Sequence, residues 1–179
     1  MTTTVLHIRQ SLYNTLILSV LMMIAFLFAT QARAQQFNIA QVNDSLWNLT
    51  LTVDGDTSLW QLKYPVYRFA TADINGDGSV DAVVGVYKAS RFFTTPNRRV
   101  FIFKNYEGLI RPLWLGSRLS GELVDFNIVD NKVRAIEKAK DRFVVSDYSW
   151  NGFGLAMDSV VYTSSSIDDC YHFLSIIKQ

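Results

Sequence analysis

Residues 72–85, ADINGDGSVDAVVG, gather Asp73, Asn75, Asp77 and Asp81 around Gly76 and Gly78 and then run directly into valines. Counting Asp73 as position 1, side-chain oxygens fall at positions 1, 3, 5 and 9, and Ser79 at position 7 is free to offer its backbone carbonyl. Gly78 stands at position 6, where a loop folded round an ion must bend sharply. Hard oxygen donors in alternation suit Ca2+, which takes roughly 6–8 of them, water included. Three aspartates supply charge and Asn75 a neutral oxygen. A solvated Asp/Asn/Gly turn would use the same residue types and bind nothing, but it would not require the regular spacing. If the ion is there, a rivet for the loop is a simpler role for it than regulation or catalysis. Asp54 and Asp56 flank Gly55 in a second, poorer arrangement that lacks further acids and reads as a hairpin turn.

Other chemistry is sparse. The two histidines are His7 and His172, too few and too far apart for a histidine metal site or a Ser-His-Asp arrangement. Cys170 is the single cysteine, so an intrachain disulfide is excluded and no CxxC motif exists. Glu122, Asp125, Asp130 and Glu137 could in principle pair for hydrolysis, but strand alternation brings no chosen two together. Trp60 and Trp114 recur at matching places and point to packing, whereas Trp150, in SWNGFG, sits beside turn glycines and is the candidate for an exposed ligand contact.

These residues need a scaffold, and the periodicity reads as strand nearly throughout. LWNLTLTV (46–53) sends Trp47, Leu49, Leu51 and Val53 to one face and Leu46, Asn48, Thr50 and Thr52 to the other. Further strands are expected at 66–72, 81–88, 99–105, 109–116, 122–130, 132–139, 141–149 and 154–162, and the hairpin partner of 46–53 begins after DGDT. Turn signals lie between them at NYEG, VDNK and WNGFG. The segment 132–139 has helix-forming composition, but its alternation favours strand. The order repeats about every 40–55 residues, in three passes: one running from 46 through 88, a second from 99 through 139, and a third that begins near 142 and fades. The tail 163–179 breaks the pattern; Ser166 followed by Asp168 and Asp169 can start a short helix.

The first 34 residues stand apart. Arg9 without any acid, the apolar run 15–30 and Ala32-Arg33-Ala34 follow the order of a secretory signal, basic, apolar, then small. The run of 16 residues is shorter than the ~20 that a bilayer-spanning helix needs. Cleavage after Ala34 would leave a domain of residues 35–162 and the tail, with no stable membrane span, exported to the periplasm, the cell surface or the medium. Losing Arg9 and Arg33 takes the 17 basic residues to 15, against 16 acidic ones. No basic tract remains of the kind that displaces counterions from nucleic acid, so nucleic acid is not expected as a partner.

FATADINGDGSVDAVVGVY resembles the FG-GAP or VCBS type of repeat in its aromatic start, its D-x-N-G-D-G-x-x-D loop and its apolar exit strand. The likeness is clear over about residues 66–106 and loose elsewhere. It implies an all-β fold of antiparallel strands in propeller-like blades. It also implies that the loop joins two blade strands and binds calcium through Asp73, Asn75, Asp77, the Ser79 carbonyl and Asp81. Unlike a helix-flanked EF-hand, the chain has Val84 at position 12 in place of a bidentate glutamate, and strands on either side. Closed propellers usually need about four or more blades, and this length provides about three. An incomplete propeller or self-association into a homo-oligomer follows, with the edges of the first strand LWNLTLTV and the last strand expected to join, either within one chain or between two chains as a dimer. The functional expectation is an exported, calcium-stabilised interaction module for a protein or glycan partner. The alternative is an enzyme or accessory domain acting on extracellular polysaccharide.

Overall fold

The computed structural model describes residue 17 and residues 35–89, 94–116 and 119–175. The chain divides into two compact units, Met1–Arg33 and Ala34–Gln179, and the second carries the account that follows. The expected leader lies outside the described residues except for Ile17.

Eleven strands and one short helix make up the described part of this unit. They are β1 (Gln35–Asn43), β2 (Leu46–Val53), β3 (Asp56–Leu62), β4 (Val66–Ala72), β5 (Asp81–Lys88), β6 (Asn97–Tyr106), β7 (Leu109–Leu115), β8 (Glu122–Val129), β9 (Lys132–Ala139), β10 (Arg142–Trp150), β11 (Leu155–Ser164) and α1 (Ile167–Phe173). The fold is all-β. Three antiparallel sheets form, in the orders β1-β2-β3, β4-β5-β6-β7 and β8-β9-β10-β11. Within each sheet the strands pair in sequence order, hairpin after hairpin. At Asp54-Gly55, Glu107-Gly108 and Asp130-Asn131 both turn residues have positive φ, between 51° and 96°. Two-residue turns of that hand match the twist of the strands they join.

The apolar faces stack the sheets in series. Leu49, Leu51 and Val53 of β2 and Phe37 of β1 meet Ala82, Val84 and Val86 of β5 and Phe101 and Phe103 of β6. On the opposite face of the middle sheet, Val83, Val100 and Ile102 meet Phe126, Val133, Ala135 and Tyr148 of the third. The middle sheet is therefore buried on both faces, which is why DAVVGVYK is apolar at odd and even positions alike. Each buried Val, Leu, Ile or Phe among them contributes roughly 1.5–3 kcal/mol. The outer face of the third sheet is closed by α1 and the residue after it, where Cys170 and Leu174 cover Ile136 and Val145. Beneath the helix Arg134 pairs with Asp147 through Nε at 2.6 Å and donates a further bond to the Phe173 carbonyl. Among the described residues, no helix is long and apolar enough to cross a membrane.

Three expectations change. Residues 35–43, assigned to no element from sequence, form β1 and cover the outer edge of LWNLTLTV, so β2 is the central strand of its sheet. The repeat boundaries also move: residues 66–88, expected in the first pass, form with the aspartate loop the β4–β5 hairpin that begins the second sheet. The first and last strands belong to different sheets and share no ladder within the chain. The segment 132–139 is a strand and the start at Ser166 leads into a helix, both as expected.

Candidate metal centre

The loop 73–80 leaves β4 at Ala72 and enters β5 at Asp81, two residues that face each other in the ladder. Its conformation is written in local bonds. Asp73 Oδ1 accepts from the amides of Gly76 (2.8 Å) and Asp77 (3.1 Å), and its Oδ2 accepts from Gly78 (2.9 Å). Asn75 Oδ1 accepts from the Asp77 amide, while Asp77 Oδ1 accepts from the Ser79 amide and Asp77 Oδ2 from Asn75 Nδ2. Short polar side chains that bond the backbone a few residues on are what make such a turn. Gly76 and Gly78 have φ of 72° and 83°, and open space surrounds the place where a Cβ would stand. Glycine is required there for backbone conformation and not for room.

Ile74 pins the loop from below, since its side chain is buried in the core between the second and third sheets. Its amide donates to Asp81 Oδ2 at 3.0 Å. Asp81 itself is fully buried, and its Oδ1 has no hydrogen-bond partner. Burial, with the nearby charges of Asp77 and Asp73 adding to it, pushes the Asp81 carboxyl up to about 6 against the pull of the Ile74 and Asn75 amides. A buried carboxylate oxygen without a donor is costly, and three carboxylates along one loop repel one another. A divalent cation would relieve both. The chemistry of the donor set fits Ca2+: carboxylate, amide and carbonyl oxygens, with no nitrogen or sulfur ligand.

The five expected ligands thus lie in one loop and at its exit, but they do not form a closed cage. Among the described residues, no group of three or more His, Cys, Asp or Glu side chains is clustered to hold a metal ion. Most of the loop oxygens are turned onto amides: Asp73 Oδ1 accepts two hydrogen bonds, while Asp73 Oδ2 and the two Asp77 oxygens accept one each and keep a second lone-pair site. Of the loop's carboxylate and carboxamide oxygens, Asp81 Oδ1 is the one that accepts no hydrogen bond.

The other candidate acids have structural partners. Asp125 forms a two-point ion pair with Arg68 at 2.7 and 2.5 Å, tying β8 to β4. Glu137 accepts from Tyr148 Oη and from the Gly121 amide, each at 2.6 Å. Glu122 accepts from Asn97 Nδ2, and Asp130 forms the β8–β9 turn at positive φ.

Trp150 ends β10 and packs half-buried against the core between the second and third sheets, as does Trp114. The sequence reading missed its neighbour Phe153, which is 93 % exposed. Asn151 fixes this turn: its amide donates to the Gly154 carbonyl, and its Oδ1 accepts from the amides of Phe153 and Gly154. An aromatic residue between two glycines, after an asparagine able to anchor the turn, was the available signal. Set against known proteins, the chain matches no family model, no curated protein and no solved structure.

Proposed function

We propose that the chain is an exported, calcium-stabilised binding module whose three sheets act as propeller-like blades, with no catalytic role for its acids. The observation that carries the metal assignment is the buried, unpartnered Oδ1 of Asp81 at the mouth of an oxygen-rich loop. Asp73, Asn75, Asp77, the Ser79 carbonyl and Asp81 would hold the ion, which supplies positive charge that neutralises their mutual repulsion. The chain's own residues do the rest: Ile74 fixes the loop to the core, and the two glycines permit its bends.

Partner contact is assigned to the β10–β11 turn, with Phe153 as anchor and Trp150 behind it, a partner being a protein or a glycan. A rigid, exposed aromatic loses little freedom on docking and brings a large apolar area. The leader 1–34 would direct export.

Calorimetric titration of the full chain with Ca2+, paired with melting in EDTA and in excess Ca2+, tests the reading. Binding at one site and a gain near 2.7 kcal/mol at about 100-fold excess over Kd are expected. A melting temperature indifferent to both EDTA and Ca2+ rejects it.

A further inference from the structure

A relay of side-chain amides connects the first sheet to the exit of the aspartate loop. Gln35, the first residue of β1, donates from Nε2 to the Val80 carbonyl at 2.8 Å, across 45 positions of sequence. Its Oε1 accepts from Asn105 Nδ2 at 2.7 Å, and Asn105 Oδ1 accepts from the Gly108 amide at 2.8 Å. The polarity of this relay has one consistent direction. The Gly108 amide must meet an oxygen, which turns Asn105 Nδ2 toward Gln35 and leaves the Gln35 Nε2 for Val80. The turn between β6 and β7 is thereby linked, through three hydrogen bonds, to the carbonyl of the peptide between Val80 and Asp81.

We infer that Gln35 is a positioning residue for the calcium loop: it holds the Val80–Asp81 peptide so that Asp81 enters the fold with Oδ2 on the Ile74 amide and Oδ1 free for the ion. The inference rests on the calcium reading above. Its physical basis is preorganisation, since a peptide already held in the metal-free protein loses less freedom when the ion binds. The same relay makes the N-terminal strand part of the metal site's support, although it supplies no ligand.

The test compares the full chain with Gln35→Ala and with Ile39→Ala, a change that loosens the same strand against the first core without touching the relay. Gln35→Ala is expected to raise the calorimetric Kd for Ca2+ about 3- to 10-fold, the range of one lost hydrogen bond. Ile39→Ala lowers the melting temperature equally in EDTA and in Ca2+ and leaves Kd unchanged. Equal effects of the two variants on Kd overturn the inference. A wild-type chain that binds no Ca2+ defeats the calcium reading by itself, and hydrogen exchange in EDTA then judges the relay. The Ile74 amide should exchange several-fold faster in Gln35→Ala, and an unchanged rate overturns the inference. Mass spectrometry of the exported protein adds a further arm. Gln35 is expected intact, whereas closure of its α-amine onto its carboxamide carbon, with loss of ammonia, would remove the relay's central group and overturn the inference.

Discussion

Replacing Asp81 by asparagine separates the charge of this side chain from its shape. In the folded protein the carboxyl is pushed from its ordinary value of 3.8 up to about 6, chiefly by burial. The fold therefore binds this proton more tightly than the open chain does. That contribution to stability is fully present below about pH 4 and is lost as the pH rises through about 6. A difference of about two units corresponds to about 3 kcal/mol. Asparagine keeps an oxygen for the Ile74 amide but places an unpartnered N–H where Oδ1 stood, a cost of about 1–3 kcal/mol at every pH. The informative quantity is thus the change with pH and not the absolute value. In EDTA, urea unfolding followed by tryptophan fluorescence should show the wild type losing about 2 kcal/mol relative to Asp81→Asn between about pH 4 and pH 7. Adding Ca2+ at neutral pH should restore about 2.7 kcal/mol to the wild type at about 100-fold excess over Kd, and little to the variant. A stability difference between the two proteins that stays constant with pH would refute the desolvated carboxylate. Equal gains from Ca2+ would refute its role as a ligand.

Gly85→Ala should destabilise by about 1–3 kcal/mol in the same assay, because a Cβ there would stand 2.7 Å from Tyr67 Cζ and 2.9 Å from Phe126 Cε1. Arg134→Met strands the carboxylate of Asp147 and should cost about 3–5 kcal/mol; it also removes a bond to the Phe173 carbonyl, so faster exchange in α1 is the accompanying sign. Phe153→Ala should leave unfolding unchanged within about 0.5 kcal/mol, yet weaken binding to a partner recovered by glycan array or affinity capture about tenfold or more. Unchanged partner affinity would remove the β10–β11 turn from the binding face.

Much of the local structure was legible in the residues. LWNLTLTV, VYRFATA, DAVVGVYK and KVRAIEKA are strands at the expected bounds, because period-two alternation and turn chemistry act over a few residues. The aspartate loop was legible for the same reason: Asp73 bonds amides three, four and five positions ahead. QQFNIAQVN was not, since its glutamines and asparagines have weak strand preference and only Phe37 of the nine is fully buried. β1 forms by pairing with β2 and resting Phe37 and Ile39 on the first core.

By itself, then, the chain's order of residues determined which segments extend, where they turn, and which oxygens surround one loop. Tertiary structure decided how the strands group into three sheets, that the middle sheet is covered on both faces, and that Asp81 is buried with one oxygen unbonded. It also decided that Asp125 belongs to Arg68, 57 positions away, and that Gln35 reaches Val80. Alternation fixes which face a side chain points to but not what lies opposite that face. Burial and long-range pairing depend on that opposing surface, which exists only once distant segments have packed.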